Sequence, residues 1–345
     1  MIQLINFSKK AIQVLLLIFL FQACGFSFEE RIQLNADYDI TSISSVGSVG
    51  SPLNVQIYKN VPRYIPFSNG GGYYDNDANA ILDAEVTLLD KTNDNQITLG
   101  NVWSRGVYTS TEFLNENAEE YELKIRTPEG GIYTATSAVP KKVEIATVDF
   151  EELSRESSSF GGRPNFPRGT STRIQLSIDI SFNDNTSEKN YYALLVEDNS
   201  SFSIRNDTLM RGFSTRGYDT NDPAFLNEEI NVFGIVEENN VSVSSQPYYF
   251  SDVTFNSSRK KITINYNYSE IDFPNFVDTE SSIIRFILFT VNEDYYRYIT
   301  SIRRSDFSNS NPFAEPVPIY TNMSNDGQGI FTIIQSDTMG ITISE

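Results

Sequence analysis

Histidine is absent from the 345 residues, and cysteine occurs once, at position 24. The first absence removes Ser-His-Asp and Cys-His catalysis, imidazole zinc ligation and the usual side-chain base near neutral pH. The second excludes an internal disulfide, so packing and sheet hydrogen bonds must hold the fold. Positive charge is also scarce: 26 Lys and Arg stand against 45 Asp and Glu, a formal charge of -19. Such a surface repels phosphate backbones, whose binding depends on cations displacing counterions, so nucleic acid is excluded as a partner. What the chain does have is apolar and aromatic content, 39% hydrophobic with 24 Phe and 19 Tyr. That is enough to bury real cores, and the length suits two domains.

The single cysteine closes the segment "MIQLINFSKKAIQVLLLIFLFQAC", in which Lys9 and Lys10 precede an apolar core from Ala11 to Phe21, and Ala23 sits just before Cys24. This is the layout of a secretory signal, with a core shorter than the roughly 20 residues a spanning helix needs. A small residue ahead of a lone cysteine resembles the cleavage box of bacterial lipoproteins, in which the cysteine is lipidated and becomes the new N-terminus. An ordinary secretory signal with an unrelated cysteine is the alternative. Glu29 and Glu30 resemble the acidic surface-export signal of Bacteroidota lipoproteins. Together these resemblances imply a signal peptide over 1–23, a lipidated cysteine and acidic tether over 24–30, and a lipid-anchored location on the outer face of the outer membrane. Acyl chains favour membrane association by about 0.8 kcal/mol per buried methylene.

Beyond the tether, apolar residues alternate or form short runs bounded by Asn, Asp, Gly, Ser and Pro, the pattern of strands and turns. "PLNVQIYK", "AILDAEVTLLD", "NQITLG", "GVYTST", "EEYELKIRT" and "GIYTATSAVP" read as strands, with "KTNDNQ" and "PEGG" as turns between them. Strands resume with "KKVEIATVDFEE", "RIQLSIDISF", "KNYYALLVED", "INVFGIVE", "KKITINYNY" and "SSIIRFILFTV". The stretch "SRESSSFGGRPNFPRGTST", residues 154–172, lacks apolar periodicity and reads as a long exposed loop with several arginines. In "NEDYYRYITSIRRSDF", Asn292 suits an N-cap, Glu293 and Asp294 the first turn, and Tyr295, Tyr298, Ile299 and Ile302 one apolar stripe of a helix. The expected fold is mainly β: two antiparallel β-sandwich domains of Ig-like or transthyretin-like type, over 31–140 and 141–345, with one short helix in the C-terminal region.

After that helix come "NPFAEPVPIYTN" at 311–322 and "GQGIF" at 327–331. They resemble the "NPFAEPV-x-x-Y-x-N" segment and "G-x-G-x-F" turn of a Bacteroidota surface lipoprotein family known as domain of unknown function 4249. "GVYTS", "YELKI", "GIYTATSAVP" and "PYYFSDVTFN" resemble further family positions, so the likeness extends over most of the chain. The family carries no established catalytic residues. It implies a surface lipoprotein associated with a TonB-dependent transporter, an accessory that captures ligand or caps the barrel.

For chemistry, carboxylate pairs of the glycosidase type remain, but among so many acids no pair stands out, and solvated surface acids are the simpler reading. "DNDANA" imitates the start of an EF-hand, with Asp75, Asp77 and Asn79 alternating, yet Ala80 and Val86 occupy positions that require Gly and Glu. A looser calcium loop there or at "NDNT", 183–186, competes with an ordinary Asx turn. No cofactor or metal is expected. The loop "RYIPFSNGGGYYDND", residues 63–77, sets Tyr64, Phe67, Tyr73 and Tyr74 around three glycines. Those rings suit stacking on a glycan or anchoring a peptide, or else packing on the first sandwich. Thr208 and Thr338 lie in "DTL" and "DTM" triplets that resemble the O-glycosylation site of exported Bacteroidota proteins. The functional expectation is a non-enzymatic binding accessory of a nutrient transporter; a free-standing adhesion module and a carboxylate-dependent glycan hydrolase are the alternatives.

Overall fold

The computed structural model of the chain describes residues 40–343 apart from 60–78, 103–104, 162–168, 185–187, 206–207, 226–240, 253–258, 273–276, 279–280, 311–314 and 316. Cys24, Glu29 and Glu30, the aromatic loop bearing Tyr64, Phe67, Tyr73 and Tyr74, and the expected strand "INVFGIVE" fall outside those residues.

The strands of the amino-terminal part are β1 (Thr41–Ser48), β2 (Pro52–Lys59), β3 (Glu85–Asp90), β4 (Asn95–Val102), β5 (Val107–Phe113), β6 (Glu120–Arg126) and β7 (Ile132–Ala138). There follow β8 (Ile145–Phe160), β9 (Gly169–Asn183), β10 (Tyr191–Arg205), β11 (Thr208–Arg216), β12 (Tyr218–Thr220), β13 (Val241–Val243), β14 (Tyr248–Ser251), β15 (Arg259–Asp272), β16 (Val277–Asp278) and β17 (Ser282–Val291). Helix α1 (Glu293–Ser310) and strand β18 (Gln328–Ile343) complete the order. Among the described residues, one sheet runs β16-β11-β10-β17-β18-β1-β2-β5-β4-β3-β6-β7 with β14 added to β10, and a second runs β13-β12-β15-β9-β8. The fold is thus mainly β and sandwich-like, with one helix.

Alternation decides which face of each strand is buried. In β9, Ile174, Leu176, Ile178, Ile180 and Phe182 point into one core, joined there by Ile262, Ile264, Tyr266 and Tyr268 of β15. Strands β10 and β17 are apolar on both faces because each is covered twice. Tyr192, Leu194, Val196, Ile284, Phe286 and Leu288 meet the second sheet. Tyr191, Ala193, Leu195, Phe289 and Val291 meet α1 through Tyr295, Tyr298, Ile299 and Ile302. Helix, large sheet and small sheet therefore stack as three layers here, and the predicted apolar stripe is the one buried. The helix begins as its sequence suggests: the Tyr295 N–H donates to Asn292 Oδ1 at 2.9 Å, an N-cap bond.

The amino-terminal strands enclose their own core, around Leu53, Val55, Ile57, Val86, Leu88, Tyr121, Leu123 and Ile125. Residue 140 separates these strands from β8, but β18 enters both halves. Its first part pairs in parallel with β1, from Ser42 opposite Gln328 to Ser48 opposite Ile334. Its second part pairs antiparallel with β17, from Thr290 opposite Gln335 to Ser282 opposite Ile343. Phe331 and Ile333 fill the amino-terminal core, while Ile343 fills the other. All of these elements belong to one compact unit, Ile40–Glu345.

One expectation is corrected. Residues 154–160 and 169–172 are not loop but the far ends of β8 and β9, paired from Arg155 opposite Ile174 to Phe160 opposite Gly169. This ribbon is exposed along most of β8, so no apolar alternation marks it in sequence. Arg155 bonds Glu152 at 2.8 Å instead of offering a free charge.

Candidate functional site

The two faces of α1 differ in character. Opposite its buried stripe, Glu293, Arg297, Thr300 and Arg304 recur at helical spacing and line one side of a groove of about 540 Å3. The other side is Val317, Pro318 and Tyr320 of the extended segment after the helix, with Lys189 and Tyr191 at the head of β10 closing the base. The volume lies within the range of ligand-binding clefts.

The groove is held by bonds that fix its walls. Ser301 Oγ donates to the Tyr298 carbonyl at 2.7 Å and accepts the Tyr320 N–H at 2.9 Å, tying the extended segment to the helix. The Tyr320 hydroxyl donates to the Asp294 carboxylate. Tyr296 is buried, and its ring packs on that of Tyr191 at 4.7 Å between centroids. Two cations lie on aromatic rings, Arg297 at 4.6 Å from the Tyr320 centroid and Lys189 at 5.0 Å from that of Tyr191. Burial, reinforced by the bond to Asp294, pushes the Tyr320 hydroxyl up to about 12. Burial likewise raises Tyr191, against the opposing pull of Lys189. Both phenols are neutral at ordinary pH, so they contribute rings and hydroxyls rather than a base.

Lys189, Arg297 and Arg304 line the groove against the carboxylate of Glu293, within a protein of formal charge -19. Among the described residues, no group of three or more His, Cys, Asp or Glu converges as a metal cluster. In the described part of the "NDNT" loop, Asp184 is buried and accepts the hydroxyl of Tyr192 and, at 3.2 Å, Asn190 Nδ2, while its Oδ2 has no hydrogen-bond partner among the described residues.

Of the site residues singled out from sequence, the two that are described, Thr208 and Thr338, are not among those lining this groove. Thr208 opens β11 opposite Arg205. Thr338 lies exposed on β18 opposite Ile287. Its neighbour Asp337 has a structural task, pairing with Lys142 at 2.8 Å and accepting the Ile145 N–H at 2.9 Å. The groove was foreshadowed only by the second, polar stripe of α1, since its other walls come from the head of β10 and the segment after the helix, which no local spacing ties to that face.

A different set of contacts explains the carboxy-terminal motif. Asn322 mimics a strand partner for Phe331, donating to its carbonyl at 2.8 Å and accepting its N–H at 3.0 Å. Ser324 Oγ accepts the Thr134 N–H at 2.8 Å, and Asn325 Nδ2 donates to the Ile132 carbonyl at 2.8 Å. Ser137 Oγ accepts the Ile333 N–H at 2.8 Å and Asn292 Nδ2 at 2.9 Å. Side chains thus close the seam between the edge of β7 and the start of β18, where no ladder forms. A family model described as "Domain of unknown function (DUF4249)" matches residues 52–339, a span that contains this seam.

The chain belongs to the DUF4249 family. A search of the curated proteins gives no match. Among solved structures, a protein from Corynebacterium diphtheriae described as membrane-anchored aligns at 10% identity over 73% of this chain, with a TM-score of 0.18. The DUF4249 chain spans about half of that protein, 54% of its length, and so slight a likeness carries no argument. Among the described residues of the DUF4249 chain, no helix is long and apolar enough to cross a membrane. Of the residues that carried the family resemblance, Asn322 and the Gly327–Phe331 turn work in this DUF4249 member as a clasp, while Val317, Pro318 and Tyr320 line the groove.

Proposed function

We propose that this DUF4249 protein is a non-enzymatic ligand-binding lipoprotein of the outer-membrane surface, anchored through Cys24 and serving a TonB-dependent transporter. The observation that carries the binding part is the groove along α1. Its walls are the helix itself, the head of β10 and a segment bonded to the helix through Ser301, so it is preformed. Hydrolysis would require two facing carboxylates, and the groove's described lining supplies Glu293 alone. The anchoring part is supported by the leader, the placement of Cys24 after Ala23, and the acidic pair Glu29 and Glu30.

The test is a mild-detergent extraction of the lipidated full chain from its native membrane, with mass spectrometry of what accompanies it and Cys24→Ala as control. Stoichiometric recovery of one large barrel is expected from the wild type and not from the control. Recovery of the lipoprotein alone would reject a stable transporter complex and leave a free-standing surface binder.

A further inference from the structure

We propose that the groove along α1 binds an acidic polysaccharide segment, one that carries carboxylate or sulfate groups on successive sugars. The inference rests on the binding reading above and specifies its ligand class. Charge is the first reason: the described lining carries Lys189, Arg297 and Arg304 against Glu293, with Asp294 bound to the Tyr320 hydroxyl, which leaves a modest local excess of positive charge in a strongly acidic protein. The net negative charge opposes the approach of any polyanion at long range, so attraction must come from contact, where guanidinium groups form charge-assisted pairs with carboxylate or sulfate.

Shape is the second reason. Arg297 and Arg304 stand seven residues apart, two turns on the same face, so their Cα atoms are separated by about 10 Å along the axis. The wall from Glu293 to Arg304 extends over about 16 Å at 1.5 Å per residue. Two cations spaced along one wall suit a ligand that carries repeating charge. The space between them is lined by Thr300, Ser301 and the buried ring of Tyr296, with Val317 and Pro318 opposite. That mixture suits the polar rims and apolar faces of sugar rings.

Peptide is the weaker match. Extended peptides are held by an open strand edge and amphipathic helices by a run of apolar pockets. This groove has a helix on one side, already bonded to the segment on the other, and Val317 and Pro318 are the aliphatic residues of its described lining.

The experiment is calorimetric titration of the full-length protein with oligogalacturonate, its methyl ester, a sulfated dextran oligomer and polyglutamate, at low and high salt. Oligogalacturonate or the sulfated oligomer should bind, the neutral ester should not, and affinity should fall with salt. Arg297→Gln and Arg304→Gln should each weaken binding about tenfold or more. Glu293→Gln should strengthen it severalfold, a gain that loss of structure could not produce. All three side chains are exposed, so circular dichroism should match the wild type. Equal binding of the ester would keep the groove as a binding site but overturn its anion selectivity. Tighter binding of polyglutamate would overturn the saccharide assignment in favour of an acidic protein. Absence of binding by every probe would overturn the inference, while the detergent extraction described above tests the transporter reading separately.

Discussion

Gly329, the second residue of β18, has φ at +121° and lies opposite Ile43 of β1. A Cβ there would fall 2.8 Å from the Ile43 carbonyl carbon and closer still to its oxygen, both of them backbone atoms that no rotamer change can move aside. For Gly329→Ala the dihedral strain alone costs about 1–3 kcal/mol. Relieving the clash means pulling β18 from β1, with one or two ladder hydrogen bonds lost at about 1 kcal/mol each. The sum is about 2–5 kcal/mol, a large part of the roughly 5–15 kcal/mol that stabilises a typical domain. Gly340→Ala, on the same strand, is the control. Its Cβ would meet Ile283 Cγ2 and the Ile284 carbonyl oxygen at 3.6 Å, an ordinary contact, so its effect should stay within about 1 kcal/mol. Urea denaturation monitored by circular dichroism should place the Gly329→Ala midpoint well below that of Gly340→Ala. Coincident midpoints would refute the claim that β18 is locked to β1 by a backbone contact only glycine permits.

Three further outcomes are expected. Ile299→Ala, which opens a cavity between α1 and the large sheet, should cost about 2–5 kcal/mol in the same urea assay. Burial of Asp337 would raise its carboxyl, but bonds from Lys142 and the Ile145 N–H more than offset this and hold it below the usual carboxylate value. Its stabilising effect is therefore present above the unfolded value of about 3.9 and lost as pH falls through the lower folded value, so the stability gap between wild type and Asp337→Asn should shrink on acidification. A gap that widens below pH 4 would contradict that sign. Intact-mass measurement of native protein should show added sugar that disappears in Thr338→Ala if this exposed threonine is glycosylated; an unmodified wild-type mass would remove both Thr208 and Thr338 as sites.

Much of the fold was legible because two-residue alternation survives wherever one face is wet. "IQLSIDISF" places every other side chain in a core, and β9 follows it. Helix α1 was legible for a different reason, since Asn292 and the acids after it specify a start whatever the surroundings. Strand β1, "TSISSVGS", gave no comparable signal: it has few apolar residues and is buried by its partners β2 and β18, with Ser45 Oγ donating to the Asn54 carbonyl at 2.9 Å. The β8–β9 ribbon was concealed by the opposite condition, exposure that leaves composition free to imitate a loop. The groove needed tertiary knowledge. Lys189 and Tyr320 reach the same space only because β10 and the post-helical segment pack beside α1, and no local spacing encodes that meeting.

The double membership of β18 also bears on how the protein reaches its finished state. A chain emerging amino end first presents β1 long before its parallel partner exists, so that edge stays open until the final strand arrives. The contact has very high sequence separation, which makes it slow to form and places it late in folding. Neither half is complete until β18 has docked, so the open edge of β1 is available for wrong pairing through the whole interval before docking.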